Sequence, residues 1–533
     1  MKKLLLFLLL GLALHAKTPS FKEIEAMPSS YAKDYYTWRF IQEKSSSKKE
    51  AIKAYQWTKR KNSKLRKAIR KKVGYTPKNP SKKVKKKKDP NNYIIYPATA
   101  AKKSKKSLKK LYKKITKQNK YSETLHVLSD DNPFKTLSYF PGSTQAYIFN
   151  NVGNKYRKSH FNQAFTDEHL VKLVQEKQFN SSIHKIVTNP NLDKLKESLV
   201  KIKENKLTFK SNFLLAINAV EFNKLEDASR FLNMARSKTE FQSHYDQVDF
   251  WLYLVTNDKK YLKQLLESHQ VNIYTLSARD ILKKPYPKVV TPNLGYTHIK
   301  DFDIENPIDW EKIKLKMKES NSTSIDAMAE NYKSHATEGV YAYLKEKATK
   351  YTVPYYPMPY REAMWGYKKK RVAILYALAR QESRFVPASV SPSYALGMMQ
   401  IMPFLIKHLA KERKEKLDYT EMFNPYVAIS YANQHMNYLN KWLYHPLFVA
   451  YAYNGGIGFT RGLLRKKHLF KGKSPYEPFL SMELINNDEA KEYGKKVLTN
   501  YVIYLNLLSK TQIRVSSFLN TLAYPSQTDR FRK

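Results

Sequence analysis

The sequence predicts a mainly α-helical protein in which an N-terminal array of paired helices precedes a C-terminal domain of helices and Gly-rich loops. Apolar residues recur at helical spacing, as in Ala228, Leu232 and Ala235 at i, i+4 and i+7. Between about 160 and 285 such helices follow one another over short connections, which is typical of stacked helix pairs. Because no strict repeat period emerges, an ordinary helical bundle stays an alternative for this region.

The first segment, residues 1–16, has the pattern of a secretory signal peptide. Lys2 and Lys3 precede an apolar run from Leu4 to Leu14, and small Ala16 ends the segment. The run is short for a membrane span, and no later apolar run approaches that length. No cysteine follows it, so we expect no lipid anchor, and we expect the mature protein to be exported and soluble.

The second segment, residues 17–118, is predicted to be weakly patterned helix followed by a lysine-rich arm over about 78–118. Blocks of like charge repel one another and favour a solvated segment. The whole chain has a formal net charge of +50, which favours polyanionic partners such as nucleic acid, anionic lipid or a carboxylate-bearing wall polymer. Export argues against nucleic acid. A uniformly basic proteome would also produce this charge, without any specific partner.

The third and fourth segments are a helical domain over 119–348 and a C-terminal domain over 349–533. Turn residues interrupt the helical pattern from Thr291 to Lys312, and three prolines between Pro354 and Pro359 mark the start of the C-terminal domain. In that domain, Trp365 to Ala377, Glu421 to Trp442 and Glu489 to Leu508 are predicted to be helices.

One acidic residue of the C-terminal domain stands where an apolar residue is expected. Ala379, Leu378 and Leu375 precede Glu382 at i−3, i−4 and i−7, and Phe385 follows at i+3. A carboxylate on this face must be desolvated, paired or protonated. The alternative is a side chain that bends out to solvent.

Four short motifs follow one another in this domain. They are RQESRF (Arg380–Phe385), SPSYALGMMQIMP (Ser391–Pro403), AYNGG (Ala452–Gly456) and MELINNDEAKEYGKKVL (Met482–Leu498). Together they resemble the catalytic domain of the soluble lytic transglycosylases, which has the goose-type lysozyme fold. YPMPY, upstream of the motifs, and NPYVAI, between the second and the third, resemble further segments of that family. The resemblance covers about 350–510 and implies a lysozyme-like α(+β) catalytic domain behind an α-superhelical region.

The motifs depart from the family pattern at several positions. Tyr394 stands where the family has glycine, so we expect that loop to avoid positive φ. Gly455 replaces an alanine, and Lys491 replaces an arginine. Asn486 and Asn487 replace Pro-Phe, so the last motif is the least well kept.

The resemblance implies a periplasmic enzyme that cleaves peptidoglycan glycan strands between N-acetylmuramic acid and N-acetylglucosamine, leaving 1,6-anhydro ends. Glu382 would be the sole acid/base, because a glycosidic oxygen must be protonated as its bond breaks and burial keeps a carboxyl group protonated. The substrate's N-acetyl group would replace the second carboxylate that most glycosidases need. Electrostatic association with the wall is expected, whereas no cofactor, metal or nucleic acid is expected; the oligomeric state stays open.

The resemblance also implies the residues that contact the glycan. Gln400 would bond a sugar through both amide atoms. Ser383 either orients the acid or caps its helix, Ser391 either lies near the reacting centre or forms a turn, and Met402 either contacts sugar or belongs to the core. The expected contacts are Ser383, Ser391, Gly397, Met399, Gln400, Met402, Tyr453, Asn454 and Glu483.

Three other functions stay open from the sequence. A lysozyme-like hydrolase would begin with the same protonation and then consume water. A non-catalytic wall-binding scaffold would have no need of the acid. A polyanion-binding protein would depend on the lysine-rich arm rather than on Glu382.

Overall fold

The computed structural model describes residues 18–77, 94–115, 118–203, 206–472, 474–509 and 511–532. The predicted signal peptide, residues 1–16, lies outside the described residues, as do residues 78–93 and 116–117 of the predicted lysine-rich arm. In the described part of the chain, the structure is helical and the only β-structure is isolated bridges. The predicted mainly α class is therefore confirmed.

The helices of the N-terminal half have bounds that follow in chain order. They are α1 (Phe21–Ala26), α2 (Tyr31–Gln42), α3 (Lys48–Gln56), α4 (Ser63–Val73), α5 (Pro97–Ala100), α6 (Lys105–Tyr112), α7 (Lys120–Ser129), α8 (Pro133–Ser138), α9 (Gly142–Asn151), α10 (Asn154–Tyr156), α11 (Asp167–Leu173), α12 (Phe179–Val187), α13 (Asp193–Ser198), α14 (Phe209–Glu221), α15 (Leu225–Arg236), α16 (Gln242–Thr256), α17 (Lys259–Glu267) and α18 (Ile273–Ile281).

The helices of the C-terminal half begin after an irregular stretch that ends at Asn306. They are α19 (Pro307–Glu319), α20 (Ser322–Glu330), α21 (Glu338–Ala348), α22 (Lys369–Glu382), α23 (Pro403–Arg413), α24 (Pro425–Asn440), α25 (Pro446–Gly455), α26 (Ile457–Leu464), α27 (Phe479–Glu483), α28 (Asp488–Leu507), α29 (Ser516–Leu519) and α30 (Pro525–Thr528).

The Cα positions group into two compact units, each built from several stretches of chain. Unit 1 contains Met1–Lys83, Lys288–Lys441 and Asn500–Gln512, and unit 2 contains Val84–Pro287, Trp442–Thr499 and Ile513–Lys533. The predicted division at 16/17, 118/119 and 348/349 stays a prediction.

One apolar cluster of unit 1 joins helices α19 and α21 to the chain that follows α22. Trp310 and Ile313 of α19, Val340 and Leu344 of α21, and Val386 all belong to this cluster. The N–H groups at the start of α1 and α3 are satisfied by capping boxes, in which serine and glutamate side chains bond each other's backbone. The buried face predicted around Leu375 and Leu378 is also confirmed, since both side chains are fully enclosed.

Unit 2 contains the predicted array of helices. Helices α14 to α18 each pack on the next helix in the chain, as stacked helix pairs do. The residues that predicted them, Ala228, Leu232 and Ala235, are fully buried. Within the expected arm, α6 differs from a solvated segment because it packs on α7 and buries Leu108.

No helix in the described ranges is both long enough and apolar enough to cross a membrane.

The approach of α28 to α25 leads to a first prediction, because a Cβ on Gly494 would lie 2.1 Å from Cε1 of Tyr451. Gly494→Ala should lower the free energy of unfolding by about 1–3 kcal/mol, the usual effect of overpacking. Gly462→Ala is the matched control, since Gly462 is an exposed helical glycine with nothing within 4 Å of its Cβ position. That change should stabilise by about 0.5–1 kcal/mol. Urea unfolding of both variants measures the two changes in the free energy of unfolding. Equal changes in the two variants would contradict the close packing of Gly494 on Tyr451.

Candidate active site

Glu382 is the last residue of α22, at the edge of a buried helix face. Leu378, Ala379 and Phe385 around it are fully buried, whereas Glu382 itself is half-buried. The carboxyl group therefore lies at the boundary between the core of unit 1 and its surface. Its position at a helix C-terminus also places it beside backbone carbonyls, where negative charge is unfavourable.

A buried carboxylate holds the two arginines that flank Glu382. Glu346 of α21 accepts from Arg380 Nη2 at 2.7 Å, and its other oxygen pairs with Arg384. Arg380 also donates from Nε to the Tyr355 carbonyl at 3.1 Å, and its guanidinium lies 4.0 Å from the centre of the Tyr356 ring. Residues two positions before and after Glu382 are thus fixed to one side chain.

The backbone after α22 is strained where it leaves the helix. Arg384 and Phe385 have φ of +53° and +64°, which non-glycine residues adopt at a cost of about 1–3 kcal/mol. The Ser383 hydroxyl donates to the Met398 carbonyl at 2.8 Å. Ser383 is the C-cap residue of α22, and its hydroxyl ties the end of that helix to the second motif.

The second motif forms a compact double turn. Leu396 and Ile401 exchange two backbone hydrogen bonds of 3.0 Å, and Ser391 N–H donates to the Ala395 carbonyl. The Ser391 hydroxyl accepts from the N–H groups of Ser393 and Ala395, at 3.3 and 2.9 Å. The turn-forming role of Ser391 is therefore what the geometry shows.

Gly397 and Gln400 shape the end of this turn. A Cβ on Gly397 would lie 1.9 Å from the Met422 carbonyl oxygen, and the residue has φ of +76°, so only glycine fits. The Gln400 amide nitrogen donates to the Ser389 and Gly397 carbonyls at 3.1 and 2.8 Å. Here the structure differs from the expectation that both amide atoms serve a ligand, because the nitrogen is engaged within the loop.

The two methionines of the motif have different surroundings. Met399 is fully buried, so its side chain is a core group and not the exposed contact that was expected. Met402 is half-buried at the N-cap of α23 and has surface to offer.

Tyr394 corrects the expectation that its loop avoids positive φ. The residue has φ of +64°, although it is not glycine. Its ring is fully buried, 5.6 Å from that of Trp38 and 6.1 Å from that of Tyr35. Burial of an aromatic ring offsets the conformational cost, because it removes a large apolar surface from water.

The N-terminal helices of unit 1 hold this loop in place, which the sequence did not indicate. Asn62 Nδ2 donates to the Pro392 carbonyl at 3.1 Å, and Lys64 Nζ donates to the Ser393 carbonyl at 2.8 Å. Arg39 of α2 forms a two-pronged pair with Asp418 at 2.7 and 3.0 Å.

Three predicted site residues belong to unit 2. Tyr453 and Asn454 are half-buried in the last turn of α25. Gly456 with φ of +86° ends this helix. At Gly455, a Cβ would lie 2.6 Å from the Phe459 ring, so an alanine at this position would require that ring to move.

Glu483 is a buried network residue and not the cleft-lining contact that was expected. It is 1% exposed and accepts from the Tyr274 hydroxyl at 2.7 Å and from Gln247 at 3.1 Å. Lys495 and Lys491 contact its two oxygens at 3.0 and 3.5 Å. Burial disfavours its charge, but the two ammonium groups and the Tyr274 hydroxyl outweigh burial and hold the pKa of this carboxyl below its usual range.

Several important residues were therefore missed by sequence reasoning. Arg380 and Arg384 stand in the quoted first motif, and two cations around one acid signal that a counter-charge is needed. The sequence does not show that Glu346 supplies it, because the contact is tertiary. In the described residues no group of three or more His, Asp and Glu side chains could hold a metal.

A second buried carboxyl group on α21 gives a pH-dependent prediction. Burial raises the pKa of Glu338 to about 7, and the Met358 N–H and the Arg361 charge counter this only in part. In the unfolded chain the pKa of glutamate is near ~4.3. Because the folded pKa is the higher one, the stability from this group is complete below about pH 4 and is lost as pH rises through about 7.

Glu338→Gln should therefore stabilise the protein near pH 8 by up to about 3 kcal/mol and change little near pH 4. Glu330→Gln is the control, because Glu330 is a half-exposed partner of Lys345. Urea unfolding across this range measures the effect. An unchanged pH slope in Glu338→Gln would contradict the raised pKa.

Comparison with known proteins identifies a domain around these motifs. Residues 359–474 match the family described as Transglycosylase SLT domain. This match includes Glu382, the double turn, Tyr453 and Asn454, whereas Glu483 lies beyond it. No curated protein matched the chain.

Three solved structures that the chain resembles are described as lytic transglycosylases. The inactive mutant of lytic transglycosylase Slt from Pseudomonas aeruginosa has a TM-score of 0.49 and 15% identity, over 93% of this chain and 79% of that one. The 70 kDa soluble lytic transglycosylase of Escherichia coli has a TM-score of 0.45 and 15% identity, over 95% and 84%. A complex of the 70 kDa soluble lytic transglycosylase with bulgecin A has a TM-score of 0.46 and 15% identity. The match covers 93% of this chain and 84% of that one.

At these scores, the assignment rests on the match to the C-terminal motifs. The resemblance drawn from the sequence is confirmed: the chain carries a transglycosylase SLT domain at residues 359–474 and is an enzyme of the lytic transglycosylase type.

Proposed function

We propose that this enzyme cleaves the bond between N-acetylmuramic acid and N-acetylglucosamine in peptidoglycan and leaves 1,6-anhydro-N-acetylmuramic acid ends. The observation that carries the proposal is the position of Glu382. It is half-buried at the end of α22, between two arginines that Glu346 fixes, and it lies within the matched domain.

The first step needs a proton donor. We assign this role to Glu382, the half-buried carboxyl group at the C-terminal end of α22. Glu382 gives this proton to the glycosidic oxygen as the C1–O bond breaks. The acetamido oxygen of the muramic acid residue bonds to C1 from the other side and neutralises the developing cation.

The second step returns the proton to Glu382. Its carboxylate accepts the proton of the 6-hydroxyl group, whose oxygen attacks C1 and displaces the acetamido oxygen. A 1,6-anhydro ring results, Glu382 is protonated again, and no water is consumed. Two buried carboxyl groups of α21 are occupied by protein donors: Glu346 by the two arginines and Glu338 by the Met358 N–H. This supports a mechanism with a single acid/base.

The remaining contacts follow from surface that the structure leaves available. We assign glycan binding in unit 1 to the Gln400 amide oxygen and to Met402, both half-buried. For Tyr453 and Asn454, which are half-buried in unit 2, a glycan contact stays a prediction. Ser383 and Ser391 support the loop through their hydroxyl groups. The signal-like segment at residues 1–16 supports export to the periplasm, where this substrate is found.

Glu382→Gln tests the acid/base assignment. The amide is nearly isosteric but cannot protonate the leaving oxygen, so cleavage of isolated sacculi should fall by at least about 100-fold. Glu412→Gln is the matched control, because Glu412 is a half-exposed glutamate of α23 in the same unit. Its activity should equal that of the parent.

Product analysis separates the lyase from a lysozyme-like hydrolase. Digestion in ¹⁸O-labelled water should give unlabelled anhydro ends, because the 6-hydroxyl group and not water is the nucleophile. Labelled reducing ends would establish the hydrolase.

Activity above a few per cent in Glu382→Gln would refute the role of Glu382.

A further inference from the structure

Unit 2 contains a cavity of about 780 Å³ whose lining includes four cationic side chains and two histidines. Arg157, His184, Lys185, Lys466, Lys467 and His468 line it, together with asparagine side chains and two residues of the turn before α13. No acidic residue is among the lining residues that the structure describes. Cavities of this size hold ligands of several hundred daltons.

Arg157 makes this cavity more than a group of surface lysines. Arg157 is 5% exposed, and its Nη1 donates to the Phe149 and Val152 carbonyls at 3.0 and 2.6 Å. Its Nη2 donates to Asn154 Oδ1, which also belongs to the lining, and its buried Nε–H has no hydrogen-bond partner within the described ranges. A buried, partly unsatisfied guanidinium is costly, and it is the side chain best suited to bind an oxyanion.

The positive charge of the cavity is largely uncompensated. In the described part of the chain, Arg157, Lys185, Lys466 and Lys467 form no ion pair with a carboxylate; Lys185 bonds the Ser181 hydroxyl at 2.8 Å. Only His184 has an acidic neighbour, Asp488 Oδ2 at 3.3 Å, and that carboxylate also pairs with Lys210 and Lys491.

Burial is the main cause of the lowered pKa values of these groups, and neighbouring cations add to it at Lys185 and His468. Burial lowers the pKa of Arg157, of Lys466 and of Lys185, the last also through the Arg157 charge. Burial, with Lys466 and Lys196, lowers the pKa of His468 to about 4. An anion in the cavity would reverse these shifts, because opposite charge favours the protonated forms.

We propose that this cavity is an oxyanion-binding site that takes the carboxylates of a short acidic peptide. The inference rests on the proposed function for the source of the peptide, because peptidoglycan strands carry stem peptides with free carboxylates. The volume fits a few amino-acid residues, and the asparagine amides of the lining are suited to peptide groups. Inorganic phosphate shares this chemistry and is the competing source.

The test is isothermal titration of full-length Glu382→Gln protein, which should not consume the probes. The probes are muropeptides with tripeptide stems, the same muropeptides after amidation of their carboxyl groups, stem-free disaccharide, and inorganic phosphate. The stem-bearing muropeptide should bind at least about tenfold more tightly than the amidated and stem-free forms.

Two double variants separate the cavity from general attraction to a basic protein. Lys466→Gln/Lys467→Gln removes two cavity cations without touching Arg157, and Lys259→Gln/Lys263→Gln removes two exposed lysines of α17. The first should lower muropeptide affinity at least about tenfold, and the second should leave it unchanged. An equal loss in both, or no loss in the first, overturns the site.

Two further outcomes are decisive. Cavity-dependent binding of phosphate without binding of the muropeptide overturns the peptide assignment. Cleavage of stem-free glycan by the Lys466→Gln/Lys467→Gln variant, in an otherwise parental chain, should be unchanged. The test of the proposed function, which depends on Glu382, is therefore independent of the test of this cavity.

Discussion

One buried carboxylate, that of Glu346, organises the chain around Glu382. It pairs with Arg380 on one side of the acid and with Arg384 on the other, and it also accepts the Tyr355 N–H at 3.0 Å. Removing charges from water is costly, so such a group is stable only when its partners satisfy it. The same contacts fix the last turn of α22 and the strained residues that follow. They therefore also fix the position of Glu382, the last residue of this helix.

A second layer of contacts holds the double turn that follows. Ser383 links it to the end of α22, and the N-terminal helices hold its far side through Asn62, Lys64 and the packing of Trp38 on Tyr394. The positive φ angles of this region persist because its surroundings over-determine them. A preorganised site requires a rigid loop, because a mobile loop would not keep hydrogen-bond donors and acceptors in place.

The sequence predicted what depends on local pattern. Spacing of Leu375, Leu378 and Ala379 placed Glu382 on a buried helix face, and the motif order identified the domain. The sequence could not predict contacts between distant segments, such as the pairing of Arg380 with Glu346, which is 34 residues away in the chain. Tyr394 was mispredicted because the packing that offsets its φ comes from α2, and Glu483 because its ammonium partners are assembled only by tertiary structure.

The central claim, that Glu346 positions the acid, is tested most directly by the kinetics of Glu346→Gln on soluble glycan strands. Loss of the charge leaves both arginines without their counter-ion, so kcat should fall by about 10- to 100-fold through misplacement of Glu382, with KM changed less than about twofold. Thermal unfolding must show that the variant is folded at the assay temperature, and Glu330→Gln, at a half-exposed ion pair, should behave like the parent. A folded Glu346→Gln enzyme with parental kcat would contradict the account.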